Sequence, residues 1–311
     1  MARKRILIAA LILVAFALVP IVAQSHHLTM FGRILIYAIG ALSLNVLLGY
    51  AGLVSFGHAA FLGIGAYSVG IMAHYGIESG FIQWPLGLFA AAIAGLIIGA
   101  ISVRVGGLYF IMITLAFSQL FYFLAVGLTV YGGDDGMTIA ARSNFGGLLN
   151  LNNQIVLYYT LFVVVLLFLG FIHQLSNSRM GMILAGIRSN EDRMRALGFK
   201  TYPYKLIAFV LSAMMCSVSG LLLANLTDFV TAQYMSWHRS GELLIMVILG
   251  GMHSLFGPVV GAAALLLLEE VLSNYTDHWA LILGPLLLVI VIYAPQGIWG
   301  SLFGDQTKKA G

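Results

Sequence analysis

The feature that most constrains the fold is a succession of apolar runs, each about 20 residues long, that fill most of the chain. Hydrophobic residues make up 61% of the 311 residues and charged residues only 8%, too few charges for the surface of a soluble protein of this size. A helix of about 20 apolar residues spans the hydrocarbon core of a bilayer. The sequence therefore predicts an all-α, polytopic membrane protein with a single transmembrane domain over residues 1–311.

About ten membrane-spanning helices are predicted from these runs. The predicted spans are 6–24, 31–48, 53–73, 84–103, 106–128, 155–174, 204–224, 242–256, 257–272 and 279–298. An even number places the N- and C-termini on the same side, and the basic residues 3–5 mark that side as cytoplasmic, because Arg and Lys are enriched there. The first run is longer than a usual signal-peptide core, so we interpret it as a retained anchor. The same count places loops 129–153 and 225–241 outside and the loop 176–203 inside.

Much of the charge falls in one segment, Ser176–Tyr204, between two apolar runs. Its charged residues include Arg179, Arg188, Glu191, Asp192, Arg193, Arg195 and Lys200. Its apolar residues recur at helical spacing and are Met180, Ile183, Leu184, Ile187, Met194 and Leu197. The pattern predicts an amphipathic helical segment at the cytoplasmic surface, and an ordinary solvated loop helix would fit the same pattern.

Two glycine-rich stretches interrupt the apolar runs, at Gly49–Gly65 and Gly250–Pro258. Glycine and proline weaken helices and free backbone polar groups, which in lipid must be satisfied by protein or by a water-lined cavity. Broken or half-length helices are common where transporters bind their substrates. We expect true breaks at Ser55–His58 and at Met252–Pro258. The glycines expected to serve close helix packing instead are Gly63, Gly65 and Gly261.

Polar residues within the apolar runs are candidates for a translocation pathway. His58 and His253 lie at the two glycine-rich stretches, and we favour the interpretation that each imidazole binds backbone groups freed by the break. The other candidates are Tyr50, Ser55, Thr114, Ser118 and Gln119. Each of these side chains could instead hold two helices together.

No catalytic, metal-binding or nucleotide-binding motif stands out. The sequence has no GxxxxGK[ST] phosphate loop and no HExxH pair, and GGDDG at 132–136 lacks the ligand spacing of a calcium loop. Carboxylates reach only the ends of the predicted spans, at Glu242, Glu269 and Glu270, which argues against an ion-coupled carrier. We therefore expect no enzyme activity and no cofactor bound by this chain. The net positive charge follows from membrane topology, so no nucleic-acid partner is expected.

A series of motifs runs from residue 31 to residue 300. They are GYAGLVSFGHAAFLGIGAY (49–67), VGGLYFIMITLAFSQ (105–119), YGGDDGM (131–137), GIRSNEDRMRALG (186–198), YKLIAFVLSAMMCSVSGLLLA (204–224), LLIMVILGGMHSLFGPVVGAA (243–263) and APQGIWG (294–300). Together, and in this order, they resemble the M-type permease subunit of bacterial ABC importers for branched-chain amino acids. The sequence departs from the family's pattern at His253, where glycine is common, and at Ala232, where proline is frequent.

The resemblance implies a permease of the bacterial inner membrane that works by ATP-driven alternating access. Its partners would be a second, related permease, two cytosolic ATPase subunits that carry ATP and Mg, and a periplasmic binding protein that meets loops 129–153 and 225–241. Residues matching the family's coupling segment, which docks on an ATPase, are Ala185, Gly186, Ile187, Arg188, Asn190, Glu191, Arg195 and Gly198. Permeases for urea, amides or aromatic acids share the pattern, and an ion-coupled secondary carrier is a more remote alternative.

Overall fold

The computed structural model describes residues 2–22, 25–147, 149–252, 254–275, 278–293 and 296–303. Within these ranges most of the chain is helical. The α-helices are α1 Ala2–Val22, α2 Ser25–Asn45, α3 His58–His74, α4 Gly80–Ser102, α5 Leu108–Gly127, α6 Gln154–Ser176, α7 Arg179–Ser189, α8 Glu191–Ala196, α9 Thr201–Thr227, α10 Trp237–Gly250, α11 Gly257–Ser273, α12 Trp279–Tyr293 and α13 Gly297–Phe303. Two short antiparallel strands, β1 (Met137–Thr138) and β2 (Phe229–Val230), pair at one end of the molecule.

The helices divide into long and short groups. Among the described residues, 5 helices are long and apolar enough to cross a membrane: His27–Ala51, α4, α5, α6 and α9. By contrast α3 and α11 have 17 residues each, α12 has 15 and α10 has 14. These four are shorter than the roughly 20 residues of a full span. The polytopic helical fold is therefore confirmed in outline, while the count of ten spans and the location of the termini stay predictions.

Helices α2 and α9 form the centre of the molecule. In the most apolar stretch of His27–Ala51, 94% of the residues are buried inside the chain. The corresponding share is 72% in α9 and 22% in α5. Small residues allow close crossings: a Cβ on Gly65 would overlap the carbonyl oxygen of Ser217 in α9. Gly63 and Gly261 likewise have no room for a side chain, against Met235 and the carbonyl of Met246. The prediction that these three glycines serve packing is confirmed.

The polar loops gather at two opposite ends of α9. At its start, the guanidinium of Arg104 lies 5.8 Å from the ring centre of Tyr202, next to α7 and α8. At its end, β2 pairs with β1, which places the loop 129–153 beside the loop 225–241. This grouping agrees with the sides assigned from parity, and the charge rule predicts that the end carrying Arg104 is cytoplasmic.

Candidate functional site

The first glycine-rich stretch breaks the helix earlier than predicted. After α2 the chain makes one π-helical turn, Val46–Ala51, and stays non-helical from Gly52 until α3 begins at His58. Gly52 ends the turn with a φ of 71°, in the left-handed region that favours glycine. The predicted break at Ser55–His58 is confirmed, but the predicted span 53–73 is wrong at its start, because the helix loses its first five positions to the break.

The second glycine-rich stretch also separates two helices. α10 ends at Gly250 and α11 begins at Gly257, with Pro258 in its first turn, where proline needs no hydrogen-bond partner. The hydroxyl of Ser254 accepts a hydrogen bond of 2.8 Å from the Gly257 N–H. The predicted break at Met252–Pro258 is confirmed. The predicted pathway residue His253 lies outside the described residues.

The structure brings the two breaks into contact. Asn45 Nδ2 donates a hydrogen bond of 3.2 Å to the carbonyl oxygen of Ser254. A Cβ on Gly49 would overlap the carbonyl oxygen of Met252, so the two backbones meet at a distance that only glycine permits. We call the two segments, 45–57 and 250–257, the break junction. The sequence showed both breaks, but their contact depends on how α2 packs against α10 and α11.

Hydroxyl groups satisfy the backbone that the first break frees. Three N–H groups near the start of α3 each donate to a serine or threonine from a different part of the chain, so no imidazole is needed for them. The bonds are Phe56 N to Thr114 Oγ1 at 3.2 Å, Gly57 N to Ser55 Oγ at 3.2 Å and Ala59 N to Ser240 Oγ at 3.0 Å. The sequence-based interpretation that His58 does this work is therefore wrong.

His58 instead joins three helices. Its side chain is fully buried, and Nε2 lies 2.6 Å from Ser212 Oγ on α9. The Ser212 hydroxyl donates its proton to the carbonyl oxygen of Ser43 on α2, at 2.5 Å. Ser212 Oγ must then accept, so His58 Nε2 carries a proton and donates. The imidazole also packs edge-on against Phe61 and Phe209. This arrangement supports a structural role for His58, through side-chain partners that the sequence did not indicate.

The reach of the donor in His58 allows a direct test. We expect His58→Gln to keep folding, because its amide nitrogen can occupy the position of Nε2. His58→Asn is shorter and leaves Ser212 without its donor, which costs about 1–3 kcal/mol for a buried group. Thermal unfolding of the purified full chain in detergent would measure the difference. If both variants were as stable as the parent chain but failed to transport, His58 would belong to the pathway instead.

The polar residues predicted on α5 lie at helix contacts. Thr114 and Ser118 are fully buried; the first binds the break as described, and Ser118 Oγ donates to the carbonyl oxygen of Met235 at 2.8 Å. Gln119 is half-buried, and its Nε2 has no hydrogen-bond partner in the described part of the chain. Tyr50 is half-buried at the other end of the break. The structure thus gathers Ser55, His58 and Thr114 around the start of α3, and the pathway role of every candidate stays a prediction.

The segment 176–203 forms two short helices, α7 and α8, rather than one amphipathic stripe. Ser178 Oγ accepts from Gly181 N at 3.2 Å, and Asn190 Oδ1 accepts from Arg193 N at 2.9 Å, so each helix has a side-chain cap. Asn190 is extended, with φ of −163°, and separates the helices. The predicted helical segment is confirmed, with a turn that its capping residues explain.

Burial within α7 and α8 differs from the predicted apolar face. Leu184 and Ile187 are 0% and 4% exposed, so they pack inside this chain and Ile187 is not at the surface. Met182, Leu197 and Phe199 are exposed at 63%, 67% and 41%. Met182 and Phe199 were missed because they fall outside the stripe, although each is a large apolar residue in a polar segment. The other predicted coupling residues are exposed or half-buried: Ala185, Gly186, Arg188, Asn190, Glu191, Arg195 and Gly198.

Glu191 ties the start of α8 to the start of α9. Its carboxylate lies 2.9 Å from Lys205 Nζ and 2.7 Å from Arg195 Nη2, and it accepts a 2.8 Å hydrogen bond from Thr201. Burial acts to raise the pKa of Glu191, but the hydrogen bonds from Lys205 and Thr201 outweigh it and hold the pKa below its usual range. The carboxylate is therefore ionised at neutral pH, and the buried Lys205 has its counter-charge.

Arg188 connects the segment to the break junction. Its guanidinium donates a hydrogen bond to the carbonyl oxygen of Gly49, in the π-helical turn. A Cβ on Gly52 would lie 2.6 Å from Arg188 Cγ, so the side chain crosses the backbone of the break closely. A displacement of α7 would therefore act directly on the π-helical turn that follows α2.

The opposite end of α9 carries a second ion pair. Arg142 Nε and Nη2 lie 2.8 and 2.7 Å from the two carboxylate oxygens of Asp228, a bidentate arrangement. Arg142 also donates to the carbonyl oxygen of Leu151 at 3.1 Å, and Ser143 N donates to Asn225 Oδ1 at 2.7 Å. The loop 129–153 is therefore anchored on α9. Within the described ranges, no group of at least 3 His, Cys, Asp or Glu side chains is placed to hold a metal ion.

The known proteins that this chain resembles are permeases of branched-chain amino acid transport systems. The chain is 28% identical, over 95% of its length, to the high-affinity branched-chain amino acid transport system permease protein LivM of Salmonella typhimurium, and covers 75% of that protein. It is 24% identical to the probable branched-chain amino acid transport permease protein LivM of Methanocaldococcus jannaschii, over 85% of the chain and 90% of the relative. It is also 24% identical to the permease protein LivH of Escherichia coli, over 85% of the chain and 91% of the relative. No solved structure gave a significant match.

A protein-family model also matches most of the chain. The model described as branched-chain amino acid transport system / permease component matches residues 27–292, which include both breaks and the segment 176–203. That range covers most of the 311 residues. The chain therefore belongs to the family of permease components of branched-chain amino acid transport systems.

Proposed function

We propose that the chain is the M-type permease subunit of an ATP-driven importer for branched-chain or other hydrophobic amino acids in the inner membrane of a bacterium. The observation that carries the proposal is the similarity to LivM over 95% of the chain, with weaker similarity to LivH. The two relatives are distinct permeases, which supports a heterodimer of this chain with a second, related permease. The cytosolic ATPases bind ATP and Mg, and this chain binds no cofactor.

The coupling surface consists of exposed residues on α7, α8 and the turn that follows. Met182, Leu197 and Phe199 are large apolar side chains at the end that the charge rule places in the cytoplasm. Ala185 is exposed on α7. Large apolar side chains exposed in a polar segment commonly mark an interaction site, and a groove of an ATPase subunit would cover them. Ile187 is only 4% exposed and so lies outside this surface.

Two contacts would transmit movement of the coupling surface. Arg188 joins α7 to the break junction through Gly49, and Glu191 joins α8 to α9 through Lys205. When ATP closes the two ATPases, α7 and α8 of the permeases are drawn together, and these contacts pull on α2 and α9. Since α2 and α9 form the core, the remaining helices rock with them. This movement exposes the translocation pathway to the opposite side of the membrane. A periplasmic binding protein meets the anchored loops 129–153 and 225–241.

Charges on the coupling surface should separate the permease from its ATPases. We expect the double substitution Met182→Glu, Leu197→Glu to leave membrane insertion intact, because both side chains are exposed. ATPase subunits should no longer co-purify from native membranes, and leucine uptake should fall by at least about tenfold, the effect of roughly 1.4 kcal/mol at an interface. The matched control for ATPase binding is Val130→Glu, an apolar residue 69% exposed at the other end of the molecule, which should leave co-purification of the ATPases intact.

Two results would contradict the proposal. One is co-purification of ATPases together with unchanged uptake in the double variant. That result would show that Met182 and Leu197 do not form the ATPase docking surface. The other is leucine uptake by the purified chain alone under an ion gradient, which would indicate a secondary carrier. Identification of the co-purified binding protein and of its ligand would distinguish an amino-acid importer from one for urea, amides or aromatic acids.

A further inference from the structure

Ionisable residues from three helices converge near the end of α9 that carries Asp228. Arg33 lies on α2, Arg239 and Glu242 on α10, and Glu269 with its neighbour Glu270 on the last turns of α11. Arg33, Arg239 and Glu242 are all close enough to Glu269 to interact with it electrostatically. In the sequence these residues stand at the ends of separate apolar runs. Half-buried charged groups are costly unless they are paired with other charges or with hydrogen-bond partners.

A small cavity opens within this cluster. Its volume is about 130 Å³, and it is lined by Thr29, Met30, Arg33, Leu266, Glu269 and Glu270. Pockets for drug-sized ligands have volumes of about 300–1,000 Å³, so this cavity suits a head group of a few heavy atoms. Its walls offer one guanidinium, two carboxylates and two apolar side chains.

The charges that line the cavity are not neutralised by direct contact. The guanidinium of Arg239 forms an ion pair with Glu242, with 2.7 Å between Nη1 and Oε2. Among the described residues, Arg33, Glu269 and Glu270 form no ion pair, although Arg33 and Glu269 line the same cavity. Half-buried opposite charges that face each other without contact leave room for a group that binds both. The C-terminal end of α11 adds partial negative charge beside the carboxylates, which favours a cation there.

We propose that this cavity binds a small zwitterion that carries a primary ammonium group and an anionic group. Arg33 binds the carboxylate or phosphate through its forked N–H groups. Glu269 and Glu270 bind the ammonium group, and Met30 and Leu266 pack against the aliphatic part. A free aliphatic α-amino acid has this chemistry, and this form of the proposal rests on the proposed function. The ethanolamine head group of a phospholipid has it as well.

Binding to the full chain in lipid nanodiscs tests the site and separates the two sources. In nanodiscs of phosphatidylglycerol alone, equilibrium dialysis with leucine reports a free amino acid. In nanodiscs that also contain phosphatidylethanolamine, native mass spectrometry reports a retained lipid. We expect at least one ligand to bind, and Arg33→Gln and Glu269→Gln each to weaken that binding by at least tenfold. Arg104→Gln, which removes an arginine at the other end of the molecule, should leave it unchanged.

Analogues test the need for both charges. If leucine binds, 4-methylpentanoate lacks the ammonium group and 3-methylbutylamine lacks the carboxylate, so neither should compete. If the lipid binds, phosphatidylglycerol should not replace it. Thermal unfolding would show whether each variant is folded, and Arg33→Lys, which keeps the charge, should recover part of the binding lost in Arg33→Gln.

Binding of neither ligand, or equal binding by the parent chain and by folded Arg33→Gln and Glu269→Gln variants, would overturn the site. The measurement involves no ATPase and no binding protein, so its failure leaves the proposed import function standing. Conversely, binding with these properties would remain if ATP-driven uptake were absent.

Discussion

Arg188→Ala is expected to reduce uptake by roughly 10- to 100-fold while leaving the importer assembled. The substitution removes the hydrogen bond from α7 to the carbonyl oxygen of Gly49. A hydrogen bond from a charged donor contributes about 1.5–3 kcal/mol, which corresponds to a loss of coupling by roughly 10- to 100-fold. Leucine uptake by proteoliposomes that contain the complete importer should fall by this factor. ATP hydrolysis should persist, because the exposed apolar residues Met182 and Leu197 of the coupling surface are unchanged.

The matched control for this prediction is Arg193→Ala. Arg193 is an exposed arginine on α8, and no side-chain hydrogen bond or ion pair of it is found among the described residues. We expect uptake and ATP hydrolysis in this variant to match the parent chain. If Arg188→Ala transported normally, the contact with Gly49 would not transmit movement. If it lost the ATPases altogether, Arg188 would act in docking instead.

Gly49→Ala is expected to disrupt the break junction and lower the stability of the whole chain. The added Cβ would overlap the Met252 carbonyl oxygen and the side chain of Asn45, and a backbone carbonyl held by two helices cannot move aside cheaply. Overpacking of this kind costs about 1–3 kcal/mol even where side chains can yield, so a larger loss is expected here. The variant should express poorly, unfold at a lower temperature in detergent and show no leucine uptake.

Gly170→Ala is the control for the added methyl group. A Cβ on Gly170 in α6 meets nothing within 4 Å, so alanine should be tolerated there. Because alanine favours the helix over glycine by up to about 1 kcal/mol, unfolding should occur at the same or a higher temperature. A Gly49→Ala variant as stable and active as Gly170→Ala would mean that the two breaks are not in close contact in the working protein.

The helical fold could be predicted because membrane insertion depends on the local sum of hydropathy. The predicted spans 155–174 and 204–224 lie entirely within α6 and α9, which extend beyond them by one to three residues at each end. The breaks were visible for a similar reason, since glycine and proline change backbone preferences at their own positions. The caps of α7 and α8 were also local, as Ser178 and Asn190 act on N–H groups within three residues. The small helix α13, Gly297–Phe303, was not predicted, because it is too short for a periodic signal.

The candidate site was predicted less well, because its residues act across the fold. His58 was singled out, but its partner Ser212 is one of many serines in apolar runs, and 154 residues separate the two. Ile187 was predicted to belong to the segment that docks on an ATPase, yet the structure buries it and exposes Met182. Periodicity shows that a helix has an apolar face, but it does not show whether the protein's own core, lipid or a partner covers that face.

The sequence by itself determined the membrane class, most of the long helices, the breaks and the polar segment between α6 and α9, because each depends on residues close together in the chain. Only the tertiary structure decided that the breaks touch, that Arg188 reaches Gly49, and that Arg33 shares a cavity with Glu269. In a membrane helix that is apolar on nearly all sides, hydropathy carries little information about rotation. The orientation of each helix follows instead from close glycine contacts and from a few long-range hydrogen bonds, and those require the packed neighbours to be in place.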